Sequence, residues 1–311
     1  MPRHAAIDIG TNTVLLCVAD WDGRRLEPLL DRSVIARLGE GLEASGVLRE
    51  EAMVRALEAL DAHLKAARAE GCEVVAAIGT AALRDAGNAD QFVAEAKQRF
   101  GLEIEVISGE EEARLAFMAV ARGREEEGVP AAGRRLVMDI GGGSTEFIQG
   151  EGQSVRALRS LPLGSVRLTE RFLRGDPVKP GELAALREAV REGLAVLPAG
   201  EGGGAEMVGV AGTNTTLAAM KRRLPRYDAA AIRKTRLTRV DLDALIGILA
   251  ERTVAERRQL PGLEPGRADV ILAGAVIARE AMGHLGFEEM GVSDRGVRHG
   301  AIYRLLERLQ A

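Results

Sequence analysis

Short apolar runs closed by glycine-bearing turns alternate along this chain with longer stretches of helical periodicity. Residues 5–9 and 14–19 are two such runs joined by Gly10-Thr11-Asn12-Thr13, which predicts a hairpin. Met53, Leu57, Leu60, Leu64 and Ala67 recur on one helical face over residues 50–70, and Gly71 closes that helix. Residues 74–78 predict a buried strand ending in the turn Gly79-Thr80; a helix follows near 88–100, a strand at 103–107 and a helix from Ser108 to about Arg122. The stretch 123–134 is polar and contains glycine and proline, so it predicts a linker that takes in Glu125-Glu126-Glu127. Beyond it come a strand at 136–140, a turn at 141–145, a return strand at 146–149, a helix at about 180–197, a loop at 200–204 and a strand at 207–210. Gly212-Thr213-Asn214-Thr215-Thr216 then predicts a turn that opens a helix. Further helices are expected at about 239–252, 267–285 and 297–310, with Gly283 and Gly286 breaking the pattern of the middle one.

The second half echoes the first. Asp8-Ile9-Gly10 and Asp139-Ile140-Gly141 each open a strand–turn–strand unit, 131 residues apart, and Gly79-Thr80 and Gly212-Thr213 each follow a buried strand, 133 residues apart. Both words are common, but the flanking strand and turn patterns match as well, which predicts a duplicated α/β unit. Such a duplication makes two lobes with a cleft between them. Each lobe supplies a strand-end carboxylate, a hairpin turn and a Gly-Thr turn, a set that suits a phosphate chain: amides and hydroxyls take the oxygens and carboxylates hold a metal.

Composition narrows the partners. Lys and Arg number 42 and Asp and Glu 46, for a net charge of −4, so no global basic excess points to genomic nucleic acid. Aromatic residues make up only 3%, too few for a base-stacking platform. Two cysteines, Cys17 and Cys72, exclude a disulfide scaffold, and the four histidines show no metal-ligand spacing. No apolar run approaches the roughly 18 residues of a membrane span, and the first residues lack signal-peptide architecture, so a cytoplasmic protein is expected. One tract is strongly basic: residues 221–239 hold eight Lys or Arg and one acid, which suits either a solvated helix face or a track for a polyanion.

The chemistry concentrates in a few segments. In Asp8-Ile9-Gly10-Thr11-Asn12-Thr13, Gly10 lets an anion approach the backbone, Thr11 and Thr13 can donate hydroxyls and Asp8 could hold magnesium; an ordinary hairpin would also use these residues. Asp139-Ile140-Gly141-Gly142-Gly143-Ser144-Thr145-Glu146 is more specific. Three glycines straight after a buried strand are costly in entropy, and an anion-binding turn flanked by Asp139 and Glu146 accounts for them. No Lys-Ser or Lys-Thr follows, so this is not a Walker loop. Ser108 and Glu111 fit a capping box, and acids suit a helix start; Glu112 needs no such role and could act as a general base toward water. Arg37 and Arg84 could bind phosphate or form surface ion pairs.

Taken together, these motifs resemble the Ppx/GppA family of exopolyphosphatases and guanosine pentaphosphate phosphohydrolases. The resemblance runs through AAIDIGTNT at 5–13, RLGEGL at 37–42, GTAALRDAGN at 79–88, ISGEEEARLAF at 107–117, VMDIGGGSTEF at 137–147, AGTNTTLAA at 211–219, PGLEPGRADVILAG at 261–274 and SDRGVRHGAIY at 293–303. It implies an α/β, actin-like ATPase fold of two ribonuclease-H-like lobes, one over 1–124 with 297–311 packing back on it, the other over 125–296. It also implies magnesium-dependent release of terminal phosphate from inorganic polyphosphate or guanosine pentaphosphate, and it makes a homodimer plausible. By motif, Glu112 takes the place of the general base, Asp139 and Glu146 join it in catalysis, and Asp8, Asp139 and Glu146 form the metal region. Gly10, Thr11, Asn12, Thr13, Arg84, Gly141, Gly142, Gly143, Ser144, Thr145, Gly212 and Thr213 match phosphate-binding positions; Arg37, Asn88, Ser293 and Asp294 also carry over.

Three departures stand out. Thr11 and Thr13 replace the usual serines, Leu15 stands where the family often has Arg or His, and the C-terminal domains of longer members have no counterpart in the match. Two rival readings follow from the same residues. One is a sugar kinase or actin-like ATPase, for which no adenosine or sugar signature is visible. The other is a polyphosphate or alarmone sensor without fast turnover.

Overall fold

The computed structural model describes residues 3–72, 74–128, 133–200 and 204–310. In chain order the elements are β1 Arg3–Ile9, β2 Thr13–Trp21, β3 Leu26–Ile35, α1 Leu42–Ser45, α2 Glu50–Ala69, β4 Val75–Gly79, α3 Ala81–Asp85, α4 Ala89–Phe100, β5 Ile104–Val106 and α5 Gly109–Glu126. There follow β6 Arg134–Ile140, β7 Thr145–Glu151, β8 Ser154–Leu161, α6 Ser165–Phe172, α7 Pro180–Leu194, β9 Ala205–Val210, α8 Ala211–Lys221, α9 Ala229–Arg233 and β10 Arg236–Thr238. The last elements are α10 Arg239–Ala250, α11 Val254–Arg257, α12 Ile271–Leu285, β11 Glu289–Val292 and α13 Val297–Gln310. They form two compact units, Met1–Ala131 with Arg295–Ala311, and Ala132–Asp294. Among the described residues no helix is long and apolar enough to cross a membrane.

In the first unit the sheet order is β3-β2-β1-β4-β5, with β1–β2–β3 antiparallel and β1–β4–β5 parallel. In the second the order is β8-β7-β6-β9-β11 with β10 added at the edge, and the same pairs are antiparallel and parallel. The duplication expected from the sequence is thus present as one ribonuclease-H-like topology occurring twice. It reaches atomic detail at the hairpins. Gly10 N–H donates to Thr13 O at 3.0 Å and Gly141 N–H to Ser144 O at 2.9 Å, and a Cβ on either glycine would sit 3.1 Å from that same carbonyl. The Gly-Thr words do not correspond as cleanly. Gly79 ends β4 and Thr80 caps α3, whereas Gly212 and Thr213 lie inside the first turn of α8 rather than in a turn before it.

Alternation along β1 and β2 explains the first core. Ile7, Ile9, Val14, Leu16 and Val18 point to one face and pack with Leu57, Leu60 and Leu64 of α2 and Phe92 of α4. The second core joins Met138 and Ile140 to Leu186 and Val190 of α7, Leu217 of α8, Leu242 of α10 and Leu272 and Val276 of α12. Strands β3 and β8 escape the sequence pattern because each is an edge strand with most side chains exposed, so neither alternates. Helix α12 runs unbroken through Gly283, and Gly286 is its left-handed C-cap.

The expected linker needs correction. Residues 129–132 lie outside the described residues, but 123–126 are the last turn of α5. Gly123 is there because a Cβ would meet Arg295 Cδ at 2.5 Å. The Glu126 side chain is only 9% exposed and ties β3 and α13 to α5. Its Oε1 accepts from Leu26 N–H at 3.0 Å and Tyr303 O–H at 2.6 Å, and its Oε2 pairs with Arg295. Tyr303 of α13 is fully buried, edge-on to Trp21 at 6.2 Å and under the Arg122 guanidinium at 4.8 Å. Helix α13 approaches α5 so closely that a Cβ on Gly300 would lie 2.2 Å from Leu115 O.

Tyr303→Phe removes one of the donors to the largely enclosed Glu126 carboxylate. It is expected to cost about 1–3 kcal/mol of stability, read as a lower urea midpoint with an unchanged slope.

Candidate active site

The first hairpin turn shows its amides because its carbonyls are taken. Gly39 N–H donates to Thr11 O and Arg37 N–H to Asn12 O, both at 2.9 Å. Gly39 eases this approach, since a Cβ would meet Thr11 Cγ2 at 2.3 Å and the threonine would have to rotate, and Arg37 is held at φ 52°, a conformation that costs a non-glycine residue energy. The Nδ2 of buried Asn12 has no hydrogen-bond partner. The second turn is built alike from different residues. Ser165 N–H donates to Gly141 O, Val166 and Arg167 N–H to Gly142 O and Arg167 Nε to Gly143 O, all within 2.9–3.1 Å. Gly164 lies so close that a Cβ would be 2.1 Å from Gly142 O. Turns whose carbonyls point backward leave successive N–H groups forward, a concave donor set for anions.

Carboxylates stand at both strand ends. Asp8 is buried on β1, opposite Leu15 of β2 and Ile78 of β4. Its Oδ1 has no hydrogen-bond partner. Burial, then the negative charge of Glu112, push its pKa up to about 7, against the pull of Arg298. Glu112, the fourth residue of α5, is buried as well. Burial raises its pKa, and Arg84 opposes the rise through an ion pair at 3.1 Å. Arg84 Nη1 also donates to Ile107 O at 3.0 Å, which fixes the guanidinium beside Glu112. Ser108 caps the helix by accepting from Glu111 N–H at 3.1 Å, but the Glu111 carboxylate turns to Arg304 at 2.9 Å instead of closing the box.

In the second unit Asp139 and Glu146 are directly opposed across β6 and β7, and both are buried. Glu146 Oε1 accepts from Ser144 Oγ and Ser160 Oγ, each at 2.7 Å. Thr145 Oγ1 donates to Leu163 O. Gly212 packs under the Arg267 guanidinium and Thr213 against Gly274.

The structure therefore brings Asp8, Arg84 and Glu112 together in the first unit, and Asp139, Ser144 and Glu146 in the second. Arg37 serves the first turn through its backbone N–H. Asn88 is spent on Leu48, accepting from its N–H at 2.7 Å and donating to its O at 3.0 Å, and Asp294 on Arg233 at 2.9 Å. Two arginines were missed by sequence reasoning. Arg298 of α13 acts on Asp8 and is gripped by Asp31 of β3, Nε to Oδ1 at 3.0 Å and Nη2 to Oδ2 at 2.6 Å. Arg267 lies over Gly212. Only the run SDRGVRHGAIY hinted at Arg298, and nothing in its spacing tied it to Asp8, 290 residues earlier.

Magnesium fits these donors. Among the described residues no group of three or more His, Cys, Asp or Glu could hold a metal. Magnesium, however, is commonly bound by one or two carboxylates plus waters and substrate phosphate. The orphaned Asp8 Oδ1 is a hard oxygen donor of that kind.

The model of the Ppx/GppA phosphatase family matches residues 17–309. The chain belongs to that family. It is 37% identical to exopolyphosphatase 2 of Mycobacterium tuberculosis over 96% of this chain and 97% of that one. A Ppx/GppA family member of Aquifex aeolicus superposes with a TM-score of 0.81 at 33% identity, over 99% of this chain and 98% of the other. An exopolyphosphatase of Cytophaga hutchinsonii gives 0.86 at 28% identity, over 98% of each. The α/β, actin-like fold class and the phosphoanhydride hydrolase class expected from the sequence agree with this membership. Within the Ppx/GppA frame, Leu15 has a structural counterpart: by the repeat offset it stands where the second unit has Glu146.

Two expectations follow. Gly164→Ala would force the second turn away from α6, with a loss of about 1–3 kcal/mol in urea unfolding. For Asp8, a raised folded-state pKa favours the protonated form, so its contribution to stability is complete below the unfolded value of 3.8 and is lost as pH rises toward about 7. Metal-free Asp8→Asn should therefore be more stable than the parent at pH 8, by on the order of 2–4 kcal/mol, and no more stable near pH 3, when thermal unfolding is compared at both.

Proposed function

We propose that this Ppx/GppA chain is a magnesium-dependent exopolyphosphatase, which hydrolyses the terminal phosphoanhydride bond of inorganic polyphosphate and releases orthophosphate. The observation that carries the reading is the buried Asp8–Glu112 pair, with Arg84 locked to Glu112, where β1 runs into a turn whose carbonyls are already occupied by backbone donors. The exopolyphosphatase names of relatives matched along nearly their whole length support it.

In this reading the amides of the first turn bind oxygens of the terminal phosphate. Glu112 takes a proton from the attacking water; its burial makes it more basic than an exposed carboxylate, and Arg84 fixes its direction. The water oxygen bonds to the terminal phosphorus, the bridging P–O bond breaks, and the shortened chain leaves with the bridging oxygen. Glu146 orients the Ser144 hydroxyl through its 2.7 Å bond. Asp8 is the carboxylate that would hold magnesium, which would supply positive charge against the phosphoryl oxygens when bound. Positioning and charge neutralisation supply most of the catalysis in this reading, and no phosphoenzyme is required.

Phosphate release is to be compared on short polyphosphate, long polyphosphate, guanosine pentaphosphate and ATP with magnesium present. Release from polyphosphate is expected, and Glu112→Ala should lower kcat by about 10²–10⁴ with KM nearly unchanged. Release from the pentaphosphate alone would move the chain to alarmone hydrolysis, and tight binding without release would make it a sensor.

A further inference from the structure

The second unit has a cavity of about 580 Å³ at the start of β6, and all of its lining residues belong to that unit. Leu136, Leu285 and Phe287, buried members of the core, form its apolar wall. Arg134, Arg135 and Arg156 line it too, against a single acid, Glu151. An enclosed volume of this size, with an apolar wall and a few convergent charged groups, has the dimensions and chemistry of a small-molecule site.

Arg135 carries the argument furthest. It is 5% exposed, yet neither its Nε nor its Nη1 makes a hydrogen bond. Its ion pair with Glu206 is long, at 3.6 Å, and Arg236 draws on the same carboxylate at 3.6 Å. A buried guanidinium with unmet donors is costly, and it calls for a partner that the chain itself does not supply.

A feature of the neighbouring strand converges on the same place. Gln149 of β7 pairs with Ala157 of β8, and Gly150 with Val155, so Arg156 is an extra residue with no partner across the ladder. A bulge of this kind bends its strand and re-aims a side chain. Arg156 lines the cavity, 3.7 Å from Glu151, and its side chain is 69% exposed, so it is free to turn to an incoming anion. Arginine is suited to carboxylate and phosphate, which its planar fork meets with two parallel bonds.

The cavity is separate from the strand-end carboxylates. Arg135 and Asp139 lie on one face of β6, four residues apart, which is about 13 Å along the strand. A small ligand against Arg135 therefore leaves Asp139 and the second turn uncovered.

We infer that this cavity is a second binding site, which takes a small organic anion: a carboxylate or phosphate ester held by Arg135 and Arg156, on an apolar body packed against Leu136, Leu285 and Phe287. The test is isothermal titration of the full chain with phenylacetate and with phenyl phosphate, without magnesium and with tripolyphosphate present to occupy the phosphate-binding turns. At least one probe should bind with a millimolar or tighter Kd, and which one binds tells carboxylate from phosphate ester. Acetate and inorganic phosphate, which lack the apolar body, should bind about tenfold more weakly. Arg135→Gln should weaken binding of the probe about tenfold. Arg156→Gln, at an exposed side chain, should weaken it about threefold and keeps the test decisive if the loss of Arg135 unfolds the unit. Absence of binding by both probes, their displacement by tripolyphosphate, or a wild-type Kd in either folded variant would overturn the site.

Discussion

The backbone donors that pull the carbonyls of the two hairpin turns backward are the constraint on which the rest depends. A tight turn has as many carbonyls as amides, and left to itself it offers an anion both attraction and repulsion. Residues 37–39 and 164–167 remove the repulsion by occupying the carbonyls of 11–12 and 141–143 from behind. The same approach explains two glycines outside the turns. Gly39 and Gly164 carry no anion chemistry themselves, yet a methyl group on either would collide with the turn it supports, at 2.3 and 2.1 Å. Gly39 meets a threonine side chain, whose rotation can relieve it. Gly164 meets backbone, which cannot move without taking the turn with it.

Buried carboxylates are the second cost of this architecture. Asp8 and Glu112 repel each other in a region that disfavours charge, and each has an arginine set against that repulsion: Arg84 is bonded directly to Glu112, while Arg298 acts on Asp8 at longer range. Arg298 cannot relax toward Asp8 freely, because Asp31 holds it by two bonds. The result is an acid pair kept apart in character, one carboxylate directly paired with a cation and the other pushed toward neutrality. Asp139 and Glu146 face each other across a ladder, where like charges are unfavourable, and two serine hydroxyls fix the Glu146 side.

Much of this was legible in the sequence, and the exceptions have physical reasons. The hairpins, the core strands and the long helices announce themselves because one face of each is buried and the periodicity is clean, as in Ile7, Ile9, Val14 and Leu16. Strands β3 and β8 are edges and carry no alternation. Glu125-Glu126-Glu127 reads as a solvated linker by composition, yet the Glu126 side chain turns inward, because partners from β3 and α13 supply what its neighbours cannot. The strand-end carboxylates and glycine turns lie in contiguous words and could be read. Arg298, Asp31, Gly39 and Gly164 could not, since their meaning arises from contacts between segments far apart in the chain.

The duplication also explains why the two units differ in chemistry. Helix α5 follows β5, and α13 follows β11, at matching points of the repeat. Yet α13 belongs with the first unit, so that unit holds both helices while the second holds neither. Packed together, with Gly300 against Leu115, the two helices bring Glu112 and Arg298 to Asp8, an acid from one copy of the motif and a cation from the other. Strand β2 places Leu15 opposite Asp8, whereas β7 places Glu146 opposite Asp139. An apolar neighbour in the first unit sharpens the burial that raises Asp8, while an acidic neighbour in the second demands hydroxyl donors to settle it. One topology therefore yields two strand-end carboxylates in different electrostatic settings, and the asymmetry comes from where the last helix goes.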